Sequence, residues 1–376
     1  MKLLITTDPV GGVWTYTTEL LAQLCPLGVD VALASIGGRI SSSQREELQA
    51  LGHLRVHESA AKLEWMDNPW KDVSDSGQWL LEIARDFKPD VIHLNQYSHG
   101  SLPWRAPVLM VGHSCVLSWW QAVKHVPAGQ QWETYRSAVT DGLHAAGAVL
   151  APSVAMLREL QRLYGPLRNC GVIPNARRSD LFTPGRKRSM ILSAGRLWDE
   201  AKNISALCRA ATDLPWPVLI AGESRHPQGQ EMGLPNVRLL GKLPAAGVAR
   251  WMEQASIYAA PARYEPFGLS ILEAAICGCA LVLGDIASLR ENWTDAALFV
   301  DPEDAGQLKD ALLELIADPA LRDDLAANAL QRSREFVPTR MACQYLAAYR
   351  RLMPEGKPAV REIDDAIVKL GALVGA

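Results

Sequence analysis

Two glutamates, Glu265 and Glu273, interrupt the small, apolar run YEPFGLSILEAAICGCALVLGD between Tyr264 and Asp285. Ionised carboxylates are rarely buried without partners, so each needs a role. Ser270 and Glu273 have the spacing of a capping box, with Ser270 as N-cap and Glu273 at the third helical position. That spacing accounts for Glu273 and leaves Glu265, which precedes Pro266 in an expected loop, without a task. The backbone N–H groups of Phe267, Gly268 and Leu269 fall at or just before the expected helix start, where the helix dipole favours an anion. A carboxylate placed there only to bind phosphate would repel it. The glutamates therefore suit neutral hydroxyl donors, such as those of a ribose or a hexose.

Two other loops carry residues fit for an anion. TTDPVGGVWTY places Gly11 and Gly12 between an expected strand and helix, where the backbone can approach a ligand closely. SAGRLWDEAKN places Arg196 just after Gly195, and Lys202 in the same connection. A guanidinium fork and an ammonium at one strand end suit a diphosphate. Solvated surface cations screened by Asp199 and Glu200 are the plainer alternative.

The elements that must position these loops follow from the hydrophobic pattern. Twelve short runs read as strands: 2–7, 30–36, 90–95, 107–113, 148–152 and 170–174, then 190–195, 217–222, 237–241, 257–261, 280–285 and 297–301. Many are continuously apolar, as strands covered on both faces should be. Helical periodicity fills the gaps, which predicts doubly wound parallel sheets. Twelve strands exceed one comfortable open sheet. The polar stretch NARRSDLFTPGRKRS (175–189) separates the two series and reads as a linker. The expected organisation is a first domain over 1–176, a second over 177–336, and C-terminal helices over 337–376. In the tail, Met341, Tyr345, Leu346 and Tyr349 share one helical face. These helices either cross back to the first domain or cover the second.

A chain of 376 residues with a formal net charge of −3 has no global attraction for nucleic acid, so any anion site is local. The apolar run after Lys2 breaks too early for a signal-peptide core, and no segment is long and apolar enough to span a bilayer. Seven scattered cysteines fit a reduced, cytoplasmic setting.

The arrangement resembles glycosyltransferase family 4, retaining enzymes of the GT-B fold. The likeness covers most of the second half: AGRLWDEAKN (194–203), AGE (221–223), LLGKLP (239–244), YEPFGLSILEA (264–274), GD (284–285) and the closing amphipathic helix. Its most telling element is E-x7-E with FGL between the glutamates. In the first half it rests on GGVWTY and on His113 in VGHS. The resemblance implies an α/β fold of two Rossmann-like domains facing across a cleft, the first binding the acceptor and the second a nucleotide sugar. It implies a metal-independent, retaining transfer of a hexosyl unit from a UDP- or GDP-type sugar to a hydroxyl acceptor.

It also implies roles for matching residues. Arg196 and Lys202 would hold the donor diphosphate, with Gly11 and Gly12 approaching it from the first domain. Glu273 would meet the ribose, and Gly241 to Leu243 the base. Glu265 would meet the sugar hydroxyls beside the backbone of Phe267, Gly268 and Leu269. His113 would lie near the sugar; a satisfied histidine at a strand end is the plainer alternative. His113, Glu265, Arg196 and Lys202 are the candidate catalytic groups. One departure concerns the linker, which often reads PNG in such enzymes and here reads PNA (174–176). Ala176 would disfavour a positive φ.

No D-x-D motif stands near a strand end and the eight histidines lack ligand spacing, so no metal or other cofactor is expected. A rival reading makes Glu265 and Glu273 the acid/base pair of a glycoside hydrolase or phosphorylase. It leaves Arg196, Lys202 and the glycine loops without work. A second rival is a non-catalytic sugar- or nucleotide-binding protein on the same scaffold. A dehydrogenase fits poorly, since no G-x-G-x-x-G follows a strand. Trp65, Trp70, Trp79, Trp104, Trp119, Trp120 and Trp132 crowd the first half and could line an acceptor groove, although packing explains most tryptophans. The resemblance leaves room for peripheral membrane contact, but no strongly basic amphipathic helix stands in the first half to support it.

Overall fold

The computed structural model describes residues 1–52, 54–223 and 234–374. Two compact units emerge. One comprises Met1–Gln121, Val126–Ala176 and the segment from Pro338 onward; the other comprises Arg177–Val337 with the short stretch Ala122–His125.

The first unit holds seven strands: β1 (Lys2–Thr7), β2 (Asp30–Ile36), β3 (Leu54–Ser59), β4 (Val91–Leu94), β5 (Val108–Val111), β6 (Ala148–Ala151) and β7 (Cys170–Val172). All pair in parallel, in the order β3-β2-β1-β4-β5-β6-β7. Leu3, Leu4 and Ile5 of β1 are fully buried, as are Val31 to Ala34 of β2. Sheets covered on both faces by helices demand such continuous apolar runs. The edge strand β3 is the exception and was not expected from the sequence. Its LRVHES has no apolar run, and Arg55 and Val56 are exposed.

The second unit holds β8 (Arg188–Ala194), β9 (Val218–Ala221), β10 (Arg238–Gly241), β11 (Ala255–Ala260), β12 (Ala280–Gly284) and β13 (Ala297–Val300). These are again all parallel, in the order β10-β9-β8-β11-β12-β13. Each sheet thus reverses its winding direction at one place, between β1 and β4 in the first and between β8 and β11 in the second. Open α/β sheets bind ligands beyond the strands' carboxyl ends at such a switch point.

The helix Pro338–Leu352 packs on the first unit. It buries Met341, Tyr345, Leu346 and Tyr349 in one core with Tyr16, Leu20, Leu109 and Val111. The helix from Pro358 adds Val360, Ile363 and Leu370 to that core. Ala176 is buried and has no positive φ, so the PNA turn takes a conformation open to any L-residue. All seven cysteines are free.

Candidate functional site

In the second unit the two loops flanking the switch point carry most of the expected donor residues. The loop after β8 runs through Gly195 and Arg196 into a short turn, Glu200–Lys202. The loop after β11 carries Arg263 to Gly268. They are stitched by the Arg263 N–H donating to the Ala201 carbonyl at 2.9 Å. Asn203 reinforces the join, its amide reaching the carbonyls of Pro261 (2.9 Å) and Pro302 (2.6 Å). Lys202 Nζ donates to Glu265 Oε2 across the switch point. Arg196 donates to Asp199 at 2.9 Å and lies over the Trp198 ring. Both cations thus sit at the expected strand end, each already holding a carboxylate.

The ends of β8, β9 and β10 are tied together as well. The Gly195 N–H donates to Ala221, Leu197 to Glu223, and Gly222 to Gly241. Gly222 has φ +153°, and a Cβ there would fall 1.8 Å from the Gly195 carbonyl oxygen. No side chain fits, so this glycine lets the cation-bearing loop settle against β9. Gly241 ends β10, and Leu243 follows it half-buried.

The capping box expected at Ser270 and Glu273 is not formed. The helix runs Leu269–Ile276, its N-cap is Gly268, and no side chain caps it. Gly268 has φ +92°, and a Cβ there would lie 2.8 Å from Ile271 Cδ1. The αL cap therefore displaces the helix start two residues towards the N-terminus and puts Ser270 inside. A true capping box does occur elsewhere, at Ser41 and Gln44. With the cap made by backbone, Glu273 is released for another task. Leu269 opens the helix, so its N–H has no intrahelical acceptor. Among the described residues no hydrogen bond from the N–H of Phe267, Gly268 or Leu269 is found. The Phe267 ring is buried edge-on against Phe336 at 5.4 Å, which anchors the loop from below.

Glu273 takes a partner that the sequence reading missed. Arg177 Nε donates to Glu273 Oε1 at 2.8 Å, and the two side chains are only 7% and 14% exposed. Arg177 is pinned by its own N–H to the Phe336 carbonyl (3.2 Å) and by its guanidinium over the Phe182 ring (4.9 Å). It reads in the sequence as one of several linker cations; its place directly after PNA was the available clue.

In the first unit the corresponding ends carry neutral side chains around His113, while the buried carboxylates of Asp8 and Glu64 there accept backbone N–H groups. Gly11, with φ +89°, precedes the helix Gly12–Leu24 after β1. His113 follows β5 and is half-buried. Its Nε2 lies 2.9 Å from Asn95 Oδ1, and its ring stands edge-on to Tyr16 at 4.5 Å. Burial pushes His113 down to about 3, so the imidazole is neutral near pH 7. Behind it His93 bridges the hydroxyls of Tyr16 (3.2 Å) and Tyr349 (2.6 Å). Asn95 was not singled out from the sequence. Of the seven tryptophans, Trp65 is exposed and the other six are half-buried. Trp119, Trp120, Trp132 and Tyr135 make a chain of ring contacts at 6.1, 6.3 and 5.8 Å. Among the described residues no cluster of three or more His, Cys, Asp or Glu could hold a metal ion, and no helix is long and apolar enough to cross a membrane.

Comparisons with known proteins establish the family and the fold. The family profile described as glycosyltransferase family 4 matches residues 10–180, and that of the glycosyl transferases group 1 matches residues 188–318. A D-inositol 3-phosphate glycosyltransferase from Kribbella flavida is 31% identical over 92% of this chain and 91% of its own length. The match to the same-named enzyme of Nocardioides sp. is local: 34% identity over 37% of this chain and 32% of that protein. Among solved structures, sucrose-phosphate synthase from Thermosynechococcus elongatus superposes with a TM-score of 0.78 at 20% identity, covering 94% of this chain and 99% of that one. Anabaena Alr3699/HepE in complex with UDP-glucose superposes with a TM-score of 0.75 at 18% identity, covering 94% and 100%. The chain belongs to the family 4 glycosyltransferases, and its two Rossmann-like domains are those of the GT-B fold.

Proposed function

We propose that this glycosyltransferase moves a hexosyl unit from a nucleotide-diphosphate sugar to a hydroxyl acceptor with retention at the anomeric carbon and without a required metal. The observation that carries the reading is the Lys202–Glu265 pair, set by two stitched loops at the switch point of the second sheet. The UDP-glucose complex of the Anabaena neighbour supports a nucleotide sugar as donor. In this reading the second domain (177–336) binds the donor and the first (1–176) the acceptor.

The ion pairs are the resting form of the donor site. When a diphosphate arrives, Lys202 turns its ammonium from Glu265 to phosphate oxygens. Arg196, already 41% exposed, adds its fork. Glu265, relieved of its cation, accepts from the sugar hydroxyls. The N–H groups of Phe267, Gly268 and Leu269 add neutral donors to the developing negative charge. Glu273 keeps one oxygen on Arg177 and uses its carboxylate for the ribose hydroxyls, while Gly241 to Leu243 contact the base. Gly11, Gly12 and His113 of the first domain serve the diphosphate and the sugar.

In the transfer the bond from the anomeric carbon to the leaving diphosphate oxygen breaks, with both electrons going to that oxygen. The acceptor oxygen forms its bond on the same face and passes its proton to a leaving phosphate oxygen. Neither glutamate is a nucleophile. The hydrolase reading lacks support from the geometry, since each glutamate is engaged by a cation and neither is set up as the protonated acid such an enzyme needs.

The test is thermal shift with UDP, GDP and ADP, followed by donor turnover with sugars of the best nucleotide. Stabilisation by one nucleotide and consumption of its sugar are expected. Cleavage of an unactivated oligosaccharide without nucleotide would favour the hydrolase. A stabilising nucleotide with no donor consumed would favour a binding protein.

A further inference from the structure

The hydrogen bonds around Asn95 fix which nitrogen of His113 carries its proton. Asn95 follows β4, next to the β1–β4 switch point, and is tied twice to Thr6 of β1. Its backbone N–H donates to Thr6 Oγ1 at 2.9 Å, and its side-chain amide approaches the Thr6 carbonyl at 2.6 Å. A backbone carbonyl only accepts, so the amide atom facing it must be the NH2 group. This fixes the orientation of the Asn95 amide. The other amide atom is then the oxygen, and it lies 2.9 Å from His113 Nε2. An amide oxygen also only accepts. His113 Nε2 must donate to it.

A neutral imidazole carries one proton, and burial keeps His113 neutral near pH 7. With that proton on Nε2, Nδ1 holds a lone pair. Among the described residues no hydrogen bond to Nδ1 is found, and this atom is not among the buried polar atoms without partners. It is thus reachable by solvent or ligand and can only accept.

We propose that Asn95, clamped by Thr6, is a positioning residue that locks His113 as the Nε2–H tautomer and presents Nδ1 as a hydrogen-bond acceptor for a hydroxyl of the transferred sugar. The sugar-facing half of this rests on the placement of His113 in the proposed function; the tautomer half does not. The two halves make different demands. A phosphate or carboxylate at the same spot would require a donor from His113 and would be repelled by the Nδ1 lone pair. A hydroxyl supplies the missing proton and keeps its own oxygen free for a second partner. His113 therefore selects a hydroxyl over an anion at this position without itself carrying a charge. The clamp spans β1 and β4, which pair in register through Leu3 to Ile5 and Val91 to His93, so the lock is built on the sheet itself.

Proton–nitrogen correlation spectra of nitrogen-labelled protein distinguish a protonated from an unprotonated ring nitrogen. The His113 signals are assigned by their absence in His113→Gln. In the free wild-type protein Nε2 is expected protonated and Nδ1 unprotonated; a protonated Nδ1 overturns the proposal before any variant is made. Asn95→Ala is expected to give a mixture of tautomers, whereas Asn95→Asp, which still offers an acceptor, keeps the Nε2–H form. A His113 that stays wholly Nε2–H in a folded Asn95→Ala removes Asn95 from the account. If Asn95→Ala does not fold, Asn95→Asp decides alone: a retained Nε2–H form supports the acceptor at this position, and a proton on Nδ1 with Nε2 unprotonated overturns it. UDP-glucose or GDP-mannose, whichever raises the melting temperature, is then added. A shift of the Nδ1 signal with the nitrogen still unprotonated is expected. A bound donor that leaves Nδ1 unmoved overturns the sugar contact and the placement of His113, while the tautomer lock stands on its own result.

Discussion

The two switch points solve the same problem with opposite chemistry. In the second unit the polar groups are charged and held in pairs: Lys202 with Glu265, Arg196 with Asp199, Arg177 with Glu273. In the first the groups around His113 are neutral and held by backbone or by one another: Asn95 on Thr6, His113 on Asn95, His93 between two tyrosines. A charged pair near the surface can trade partners, because each ion is offered something of comparable strength by an arriving diphosphate. A neutral network cannot trade without leaving a buried group unsatisfied, so it keeps its geometry. The charged end is therefore built to reorganise, as the proposed donor site requires, and the His113 end is built to stay in place.

The comparison is sharpest at Arg177, the most buried of the cations. Removing one partner of a buried ion pair leaves an uncompensated charge and costs about 3–5 kcal/mol. Arg177→Met should lower the unfolding free energy by that amount in urea titration, and Arg177→Met with Glu273→Leu should recover much of it. Full loss in the double variant would mean that Arg177 acts through Phe182 and Phe336 instead. Lys202→Ala should leave the melting temperature near wild type while reducing donor turnover by roughly 100- to 1,000-fold, the usual cost of one electrostatic donor at a leaving group. Retained turnover and donor affinity would remove Lys202 from the diphosphate site.

The neutral side is probed by acid. Burial holds His93 at about 3 and His99 at about 4, both below the unfolded value near 6.5. A depressed folded value means the unfolded chain binds more protons between those limits. Stability is thus complete above about pH 7 and falls as pH drops from about 6.5 towards 4, by on the order of 2 kcal/mol per histidine at pH 5. Urea midpoints at pH 7.5 and 5 measure this, and His99→Gln should remove its share of the slope. The smallest effect is expected at Asp285, whose exposed bidentate pair with Arg290 holds its carboxyl below the usual range. Asp285→Asn should change stability by less than about 1 kcal/mol.

How much of this was legible in the sequence follows from what each residue shows locally. The buried strands announced themselves, because a strand covered on both faces must be apolar at every position; the expected and observed bounds of β1 and β2 coincide. Strand β3 did not, since an edge strand with Arg55, His57 and Glu58 carries no such run. The loops of the proposed donor site were legible as glycines and cations after strands, but their pairing was not, because strand order decides that Lys202 meets Glu265. The capping box at Ser270 misled for a similar reason. Spacing cannot reveal that Gly268 enters the left-handed region and starts the helix first. Asn95 and Thr6 are remote in sequence and meet only through the β1–β4 pairing.

Arg177 gives the connector a fixed frame. An ordinary linker absorbs an added or lost residue at little cost. Here the first residue past Ala176 is the counter-ion of Glu273, and a shift of one position would bring Arg178, now exposed, into that slot or leave it empty. Anyone recombining this second domain with a different first domain has the junction prescribed: the exchange must fall before Arg177. Chimaeras joined between 176 and 177, with the segment from Pro338 exchanged together with the first domain it packs on, should melt like the parent domain, and those joined after 178, carrying a foreign residue at 177, well below it.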